Sequence, residues 1–256
     1  MNDVTDGVRS QAFDAAAAHY AESRPSYPPA LLDFVAACLG RPLAGARVAD
    51  VGAGTGIATA LLREHGAEVI AVEPGAAMAA QLRRALPDVP LVRGDGNALP
   101  LADASCDLVT YAQSWQWTDT ARSVPEARRV VRAGGALAVW WNTTAFGVPW
   151  LRAQHERIAR HCGVAPRPVT RPDDAQAIRL AGLTGLRVAR RLLPWGRAVP
   201  LGTHLANVGS RSALLVLEPA ARRAFLDAER ERLRADFPDG VVEERYVVDV
   251  LVAGEL

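Results

Sequence analysis

The chain of 256 residues contains no lysine, so every one of its 29 side-chain cations outside histidine is an arginine. That absence removes lysine chemistry, including Schiff bases and the P-loop mode of phosphate binding. The deficit itself reads as coding bias. Cysteine is scarce: Cys38, Cys106 and Cys162 lie far apart and share no metal-ligand spacing. Such a set suits a reducing compartment and small buried side chains, and no metal is expected. Excess charge is lacking too, at a formal +1, which gives no electrostatic case for nucleic acid or an anionic membrane as partner. No basic stripe with interleaved aromatics is present. Long apolar runs are missing, and none approaches the ~20 residues of a membrane span. The N-terminal "MNDVTDGVRSQAFDAAAAHY" starts with acids and lacks a basic segment followed by an apolar one, so it does not read as a signal peptide. A cytoplasmic location is the expectation. What remains, half apolar residues and 22% charged, is an ordinary globular composition.

Between residues 47 and 142 short apolar runs alternate with longer helical ones. "RVADV" (47–51), "EVIAVE" (68–73), "PLVRG" (90–94), "DLVTYA" (107–112) and "ALAVWW" (136–141) are strand-like, bounded by Gly, Pro or Asp. Helical stretches fall at 57–65, 75–86 and 120–132. Near-continuously apolar strands separated by helices predict a parallel sheet covered on both faces, hence a Rossmann-like, doubly wound α/β fold. The flanks differ. Residues 10–39 hold two helical patterns broken by "SRPSYPP", where prolines force an extended turn. "VPWLRAQHERIARHCG" predicts an amphipathic helix, 164–173 a proline-rich connector, and 219–236 a strongly charged helix. "LRVARRL" (186–192) and "ERYVVDVLVA" (244–253) are two further strand candidates, giving seven strands with the last antiparallel. The expected organisation is a single domain: cap helices in 1–40, a cofactor-binding core in 41–142, and cap insertions with the last two strands in 143–256. The cap itself is drawn from 1–40, 143–185 and 194–243.

The stretch "VADVGAGTGIATALL" places glycines at 52, 54 and 56 between a strand and a helix. Ligands in open α/β sheets bind beyond the carboxyl ends of strands, where strand order reverses. A P-loop needs Lys-Ser/Thr after its last glycine, but Ile57-Ala58 follow. A dinucleotide fingerprint needs glycine at 57, so that the helix can approach a pyrophosphate. Alternate glycines instead let bare backbone touch a ligand along the whole turn. That suits a nucleoside with a compact zwitterionic tail and no diphosphate, such as S-adenosylmethionine. Glu73 closes the second strand about 20 residues beyond the first glycine, where an acid can accept both ribose hydroxyls.

With these blocks the chain resembles the class I S-adenosylmethionine-dependent methyltransferases, in particular the bacterial small-molecule branch. "VADVGAGTG" is similar to the family's first motif, which implies cofactor contacts at Asp50, Gly52, Ala53, Gly54 and Gly56. "VIAVEPGAAM" is similar to the segment that follows it, implying Glu73 and Pro74 at the ribose and Met78 against the adenine. "VRGDGNALPLADASCDLV" implies that Asp95 accepts from the adenine amino group while Gly96 offers its backbone. "EARRVVRAGGALAVWWN" matches the helix, glycine turn and fifth strand. "YAESRPSYP" resembles the segment folded over the cofactor, bringing Tyr20 and Arg24 towards the methionine carboxylate. The resemblance also implies cofactor contacts at Ala112, which ends the fourth strand, and at Gln113 just beyond it.

Methyl transfer from a sulfonium is an in-line displacement, so the protein mainly supplies alignment and a dry pocket. The loop after the fourth strand, "AQSWQWTD", would face the methyl group; many relatives carry His-Trp there, where this chain has Gln116-Trp117. Glutamine orients by hydrogen bonds but takes no proton near neutrality. Either the acceptor arrives ionised or basic, as a carboxylate of pKa ~4 or an unprotonated ring nitrogen, or the base sits in the cap. His19, His155 and His204 are the candidates for that base, whereas His65 and His161 suit helix C-termini. Trp115, Trp117 and Trp150, with Tyr27, are the candidate acceptor wall. The fourth-strand loop lacks the Asn/Asp-Pro-Pro-aromatic element of enzymes that methylate base amino groups. The expected partner is a small metabolite or short peptide methylated on oxygen or nitrogen, and the expected state a monomer or homodimer. The rival readings are an NAD(P)-dependent oxidoreductase, opposed by Ile57 and by the lack of a Tyr-xxx-Lys pair, and a binding protein that keeps the fold without turnover.

Overall fold

The computed structural model describes residues 23–165 and 172–254, so Tyr20 and His19 lie outside the described residues. Seven strands form one sheet in the order β3-β2-β1-β4-β5-β7-β6. They are β1 (Arg47–Val51), β2 (Glu68–Val72), β3 (Leu91–Val92), β4 (Cys106–Ala112), β5 (Val131–Thr144), β6 (Arg187–Pro200) and β7 (Val241–Gly254). The pairs β1–β2, β1–β4, β2–β3 and β4–β5 are parallel. β6 and β7 run antiparallel, since Arg190 meets Asp249 while Arg197, further along, meets Glu244. Strand order reverses at β1, which has β2 on one side and β4 on the other. This is the doubly wound, Rossmann-like α/β architecture that the alternating pattern predicts.

The chain divides into two compact units, with the boundaries inside β5, β6 and β7. The sheet unit holds 26–143, 172–193 and 248–254; the second holds 23–25, 144–165 and 194–247. In the sheet unit, α1 (Pro29–Leu39) starts on a proline, whose fixed φ and missing N–H suit the first helical turn. It ends at Gly40, whose N–H bonds back to Ala36 and Ala37 carbonyls. α2 (Ile57–Glu64) buries Ala58, Thr59 and Leu62, and α3 (Ala76–Ala85) buries Met78, Ala79 and Leu82. α4 (Thr120–Val130) is capped by the Asp119 carboxylate, which accepts from the Ala121 N–H at 3.0 Å. Leu108, Val109, Leu137 and Val139 from β4 and β5 are fully buried, and each such side chain contributes about 1.5–3 kcal/mol.

Three differences from the sequence expectation concern boundaries, the first being that α1, expected with the cap, lies in the sheet unit. β6 runs on to Pro200 through Pro194 and Gly196; at the sheet edge, proline removes no ladder hydrogen bond. Residues 172–185, expected with the cap, belong to the sheet unit. Their helix α6 (Asp174–Leu180) and the turn after it bury Ala177, Ala181 and Leu183 in the same core as Tyr111 and Trp115.

The second unit is mainly helical, with α5 (Pro149–His161), α7 (Leu201–Gly209), α8 (Ser212–Leu215) and α9 (Pro219–Asp236). Its apolar clusters centre on Ile158, Val208, Leu214 and Phe225, and on Leu201, Leu205, Leu233 and Val242. It also contains a buried polar network. The Glu229 carboxylate accepts from Arg157 at 2.5 and 2.8 Å. Glu244 accepts from His204 Nδ1 at 2.7 Å, Arg197 Nε at 2.7 Å and Asn207 Nδ2 at 3.1 Å. No described helix is long and apolar enough to cross a membrane.

Candidate active site

The site forms where β1 ends. The loop carries three left-handed glycines, Gly52, Gly54 and Gly56, at φ +67°, +59° and +93°. The N–H groups of Gly52 and Ala53 both donate to the Val72 carbonyl, at 2.8 and 3.2 Å, so the loop leans on the end of β2. On its other side Ser114 Oγ donates to the Val51 carbonyl at 2.6 Å, and a Cβ on Gly52 would overlap the Ser114 side chain. Gly54 has nothing within 4 Å of where its Cβ would stand. The loop is thus braced on two sides and bare at its middle.

Glu73 fixes that shape. Its carboxylate is 6% exposed and accepts from the Gly54 and Gly75 N–H groups, both at 2.7 Å. Charge-assisted bonds of this kind are roughly twice as strong as neutral ones. Pro74 follows, its carbonyl accepting from Arg93, and Met78 is buried one helical turn on. At the end of β3 the exposed Asp95 accepts from the Asn97 N–H at 2.9 Å, and the Gly96 carbonyl accepts from the buried Tyr111 hydroxyl at 2.9 Å.

Asp50 departs from the expectation of a ligand contact. It is fully buried and accepts from Thr59 Oγ1 at 2.6 Å and Thr110 Oγ1 at 3.0 Å. Burial raises its pKa, an effect the two hydroxyls partly offset. Its place is inside the sheet, tying β1 to α2 and β4. The sequence reading missed both threonines; a polar residue inside the apolar run of β4 was the one signal present, and its register with Asp50 comes from the structure.

The loop after β4 is strained. Gln113 sits at φ +61°, a conformation most side chains avoid and one that collects at functional sites. Its N–H donates to the Trp140 carbonyl at 3.0 Å and its side chain to the Asn142 carbonyl at 3.1 Å. Gln116 Nε2 donates to the Gln113 carbonyl at 2.6 Å, and Gln116 Oε1 accepts from the Trp141 indole at 2.8 Å. A 3₁₀ turn, Trp115–Trp117, buries one of its two indoles and exposes the other. Trp117 is 40% exposed, whereas Trp115 is 2% exposed, donates to the Ala181 carbonyl at 2.9 Å and packs edge-on against Tyr111. Trp115, expected on the acceptor wall, is therefore a core side chain. Tyr27 is also buried, edge-on against Trp140.

Asp50, Gly52, Ala53, Gly54, Gly56, Glu73, Pro74, Met78, Asp95, Gly96, Ala112, Gln113, Gln116 and Trp117 all lie in the sheet unit. Arg24, Trp150, His155 and His204 lie in the second. There Arg24 donates to the Ser210 carbonyl at 2.8 Å, and Trp150 packs its edge against Phe237 and His204. His204 is 2% exposed, with Nδ1 at Glu244 and Nε2 at 3.1 Å from Gln154 Nε2. Both ring nitrogens are engaged by residues of that unit. His155 packs against Phe146. A cavity of about 590 Å³ opens at the amino ends of β1, β2 and β4, lined by Arg47, Arg63, Glu68 and Asp88 among others. It is at the opposite end of the strands from the glycine loop and includes none of the candidate residues. Among the described residues no group of His, Cys, Asp and Glu could hold a metal ion.

Residues 49–139 match the family model of the methyltransferase domain. The chain is 35% identical over 224 residues to an uncharacterized methyltransferase of Mycobacterium bovis, covering 88% of this chain and 86% of that protein. It is 31% identical over 240 residues to a malonyl-[acyl-carrier protein] O-methyltransferase of Enterobacter lignolyticus, covering 93% and 92%. Among solved structures, a putative type II methyltransferase from Anaeromyxobacter dehalogenans superimposes with a TM-score of 0.63 at 24% identity, over 90% of this chain and 97% of the other.

Proposed function

We propose, on the premise that this chain belongs to the class I S-adenosylmethionine-dependent methyltransferases, that it methylates an oxygen or nitrogen of a small metabolite or short peptide, and that a carboxylate is the best-fitting acceptor. The observation that carries the acceptor class is Gln116. Its amide is bonded at both ends within the protein, to the Gln113 carbonyl and the Trp141 indole. The one ionisable group in the loop 113–119, Asp119, caps α4. No side chain of this loop is placed to take a proton, which favours an acceptor that brings its own lone pair. A carboxylate, with pKa ~4, does so at neutral pH, as does an unprotonated ring nitrogen. The similarity to a protein named as a malonyl-[acyl-carrier protein] O-methyltransferase supports oxygen.

The residues at the glycine loop fit the cofactor. Thr55 is 5% exposed and its hydroxyl has no hydrogen-bond partner in the protein, a group that a polar ligand would satisfy. Gly54 leaves open space where any side chain would intrude. A carboxylate has about four acceptor sites, so Glu73 can hold Gly54 and Gly75 and also receive ribose hydroxyls. Asp95, exposed at the end of β3, is available to an adenine amino group. The bound cofactor supplies a methyl group already activated on a sulfonium. The protein's own part is alignment: Glu73 and the glycine backbone fix the donor, the Gln113 turn presents the reacting edge, and Trp117 offers an aromatic face to the acceptor.

Incubation with the methyl donor and a panel of carboxylates and nitrogen heterocycles, followed by mass spectrometry, should reveal addition of one methylene unit. Replacing Trp117 with Ala should raise the acceptor KM about tenfold or more while cofactor affinity stays within about twofold, a contrast set by loss of one partly buried aromatic face. Equal losses for both ligands would remove Trp117 from the acceptor surface.

A further inference from the structure

Gln116 stands where a proton-transfer residue would be sought, yet its contacts are all internal. Its Nε2–H donates at 2.6 Å to the carbonyl of Gln113, the residue held at φ +61°. Its Oε1 accepts at 2.8 Å from the indole of Trp141, near the end of β5. Two further bonds hold the same turn, from Gln113 N–H to Trp140 and from Gln113 Nε2 to Asn142. The next residue, Ser114, carries the turn to the glycine loop: its Oγ donates to Val51 at 2.6 Å and its side chain fills the space beside Gly52. A shift at Gln113 is therefore a shift of Ser114 against the cofactor loop.

We propose that Gln116 is a positioning residue whose amide, bridging the Gln113 carbonyl and the Trp141 indole, clamps the left-handed turn at the end of β4 against the glycine loop. The role requires a donor and an acceptor on one planar group, as in an amide. A carboxylate at this position keeps the bond from Trp141 but faces the Gln113 carbonyl with a second acceptor. A protonated carboxyl restores both bonds. The Gln116→Glu variant is therefore competent only when its new carboxyl is protonated, which a residue acting through bulk alone would not show.

The inference rests on reading the β4 end as the reacting edge, and its test is binding of S-adenosylhomocysteine by calorimetry across pH 5 to 8. Gln116→Ala, which loses both bonds, should bind about three- to tenfold more weakly than wild type at every pH, the fold-change of the lost bond to the Gln113 carbonyl, which is the one that holds the turn. Gln116→Glu should match that loss at pH 8 and recover to within about twofold of wild type as pH falls towards 5. The carbonyl opposite holds the new carboxyl above its ordinary pKa of ~4.3, which places the recovery in that range. A double-mutant cycle with Trp141→Phe supplies a second measurement, in which the paired effects should fall short of additive. Gln116→Glu behaving like Gln116→Ala at all pH values, or either variant binding as wild type does at pH 8, overturns the clamp. Wild-type protein that fails to bind the nucleoside overturns both the clamp and the reading beneath it.

Discussion

Alanine placed at Gly45, Gly52 and Gly54 separates two demands that a left-handed turn makes on its residue. All three positions have φ between +59° and +70°, so each substitution carries a common backbone strain of about 1 kcal/mol. At Gly45, remote from the site, nothing lies within 4 Å of the new methyl group, and strain is the whole effect. At Gly52 the methyl overlaps Ser114 Cβ and stands 2.9 Å from its Oγ, adding an overpacking cost of about 1–3 kcal/mol. At Gly54 the space is again open, so stability should fall only as it does for Gly45→Ala. A chain of this size loses about 2–4 °C of melting temperature per kcal/mol. Thermal denaturation should therefore place Gly45→Ala and Gly54→Ala together and Gly52→Ala two to four times further down. Calorimetry with S-adenosylhomocysteine should reorder them: Gly45→Ala unchanged, Gly54→Ala weaker by about tenfold or more, because its methyl intrudes on bare backbone used by the ligand. Gly54→Ala binding as tightly as Gly45→Ala would refute the assignment of that open side to the cofactor.

Glu73→Gln keeps one acceptor oxygen and turns an NH₂ towards one of the two backbone N–H groups at Gly54 and Gly75. The loss should be about 1.5–3 kcal/mol of loop stability, with S-adenosylhomocysteine affinity down at least about tenfold; unchanged affinity in the calorimeter would sink the ribose assignment. For Glu244, burial alone would raise the pKa, but bonds from His204, Arg197, Asn207 and Tyr246 outweigh it and hold the value at about 2. A carboxyl depressed on folding stabilises the protein above its unfolded pKa of ~4.3, and that contribution fades as pH drops towards the folded value. Urea denaturation should show Glu244→Gln about 2–3 kcal/mol less stable than wild type at pH 7, with the gap narrowing below pH ~4.3; a gap that stays constant to pH 3 would contradict this.

The parts of the site set by backbone demand were legible in the sequence. Alternate glycines after an apolar strand can serve few purposes; the acid ending the second strand is expected at a ribose, and its hold on the Gly54 and Gly75 N–H groups appears only in the structure. Side-chain direction was not legible in the same way. Asp50 is expected at the cofactor from its motif, and its bonds to Thr59 and Thr110 inside the protein emerge only in the structure, with β1 and β4 in register. Trp115 and Trp117 are two apart in the sequence, yet a 3₁₀ turn sends one into the core and leaves the other exposed. The length of β6 was hidden by Pro194 and Gly196, which read as breakers until the strand is known to lie at an edge. In the second unit, Gln154, His204 and Glu244 meet across separations of 40 and 50 residues, which no local pattern reveals.

Because the carboxylate of Glu73 already grips Gly54 and Gly75, the rim needs little rearrangement on receiving a nucleoside. The ribose that Glu73 is proposed to receive is common to the donor and its demethylated product, which differ only at sulfur. On the proposed assignment, a mould cast in advance for their shared portion favours neither, and the demethylated product should compete with fresh donor on nearly equal terms.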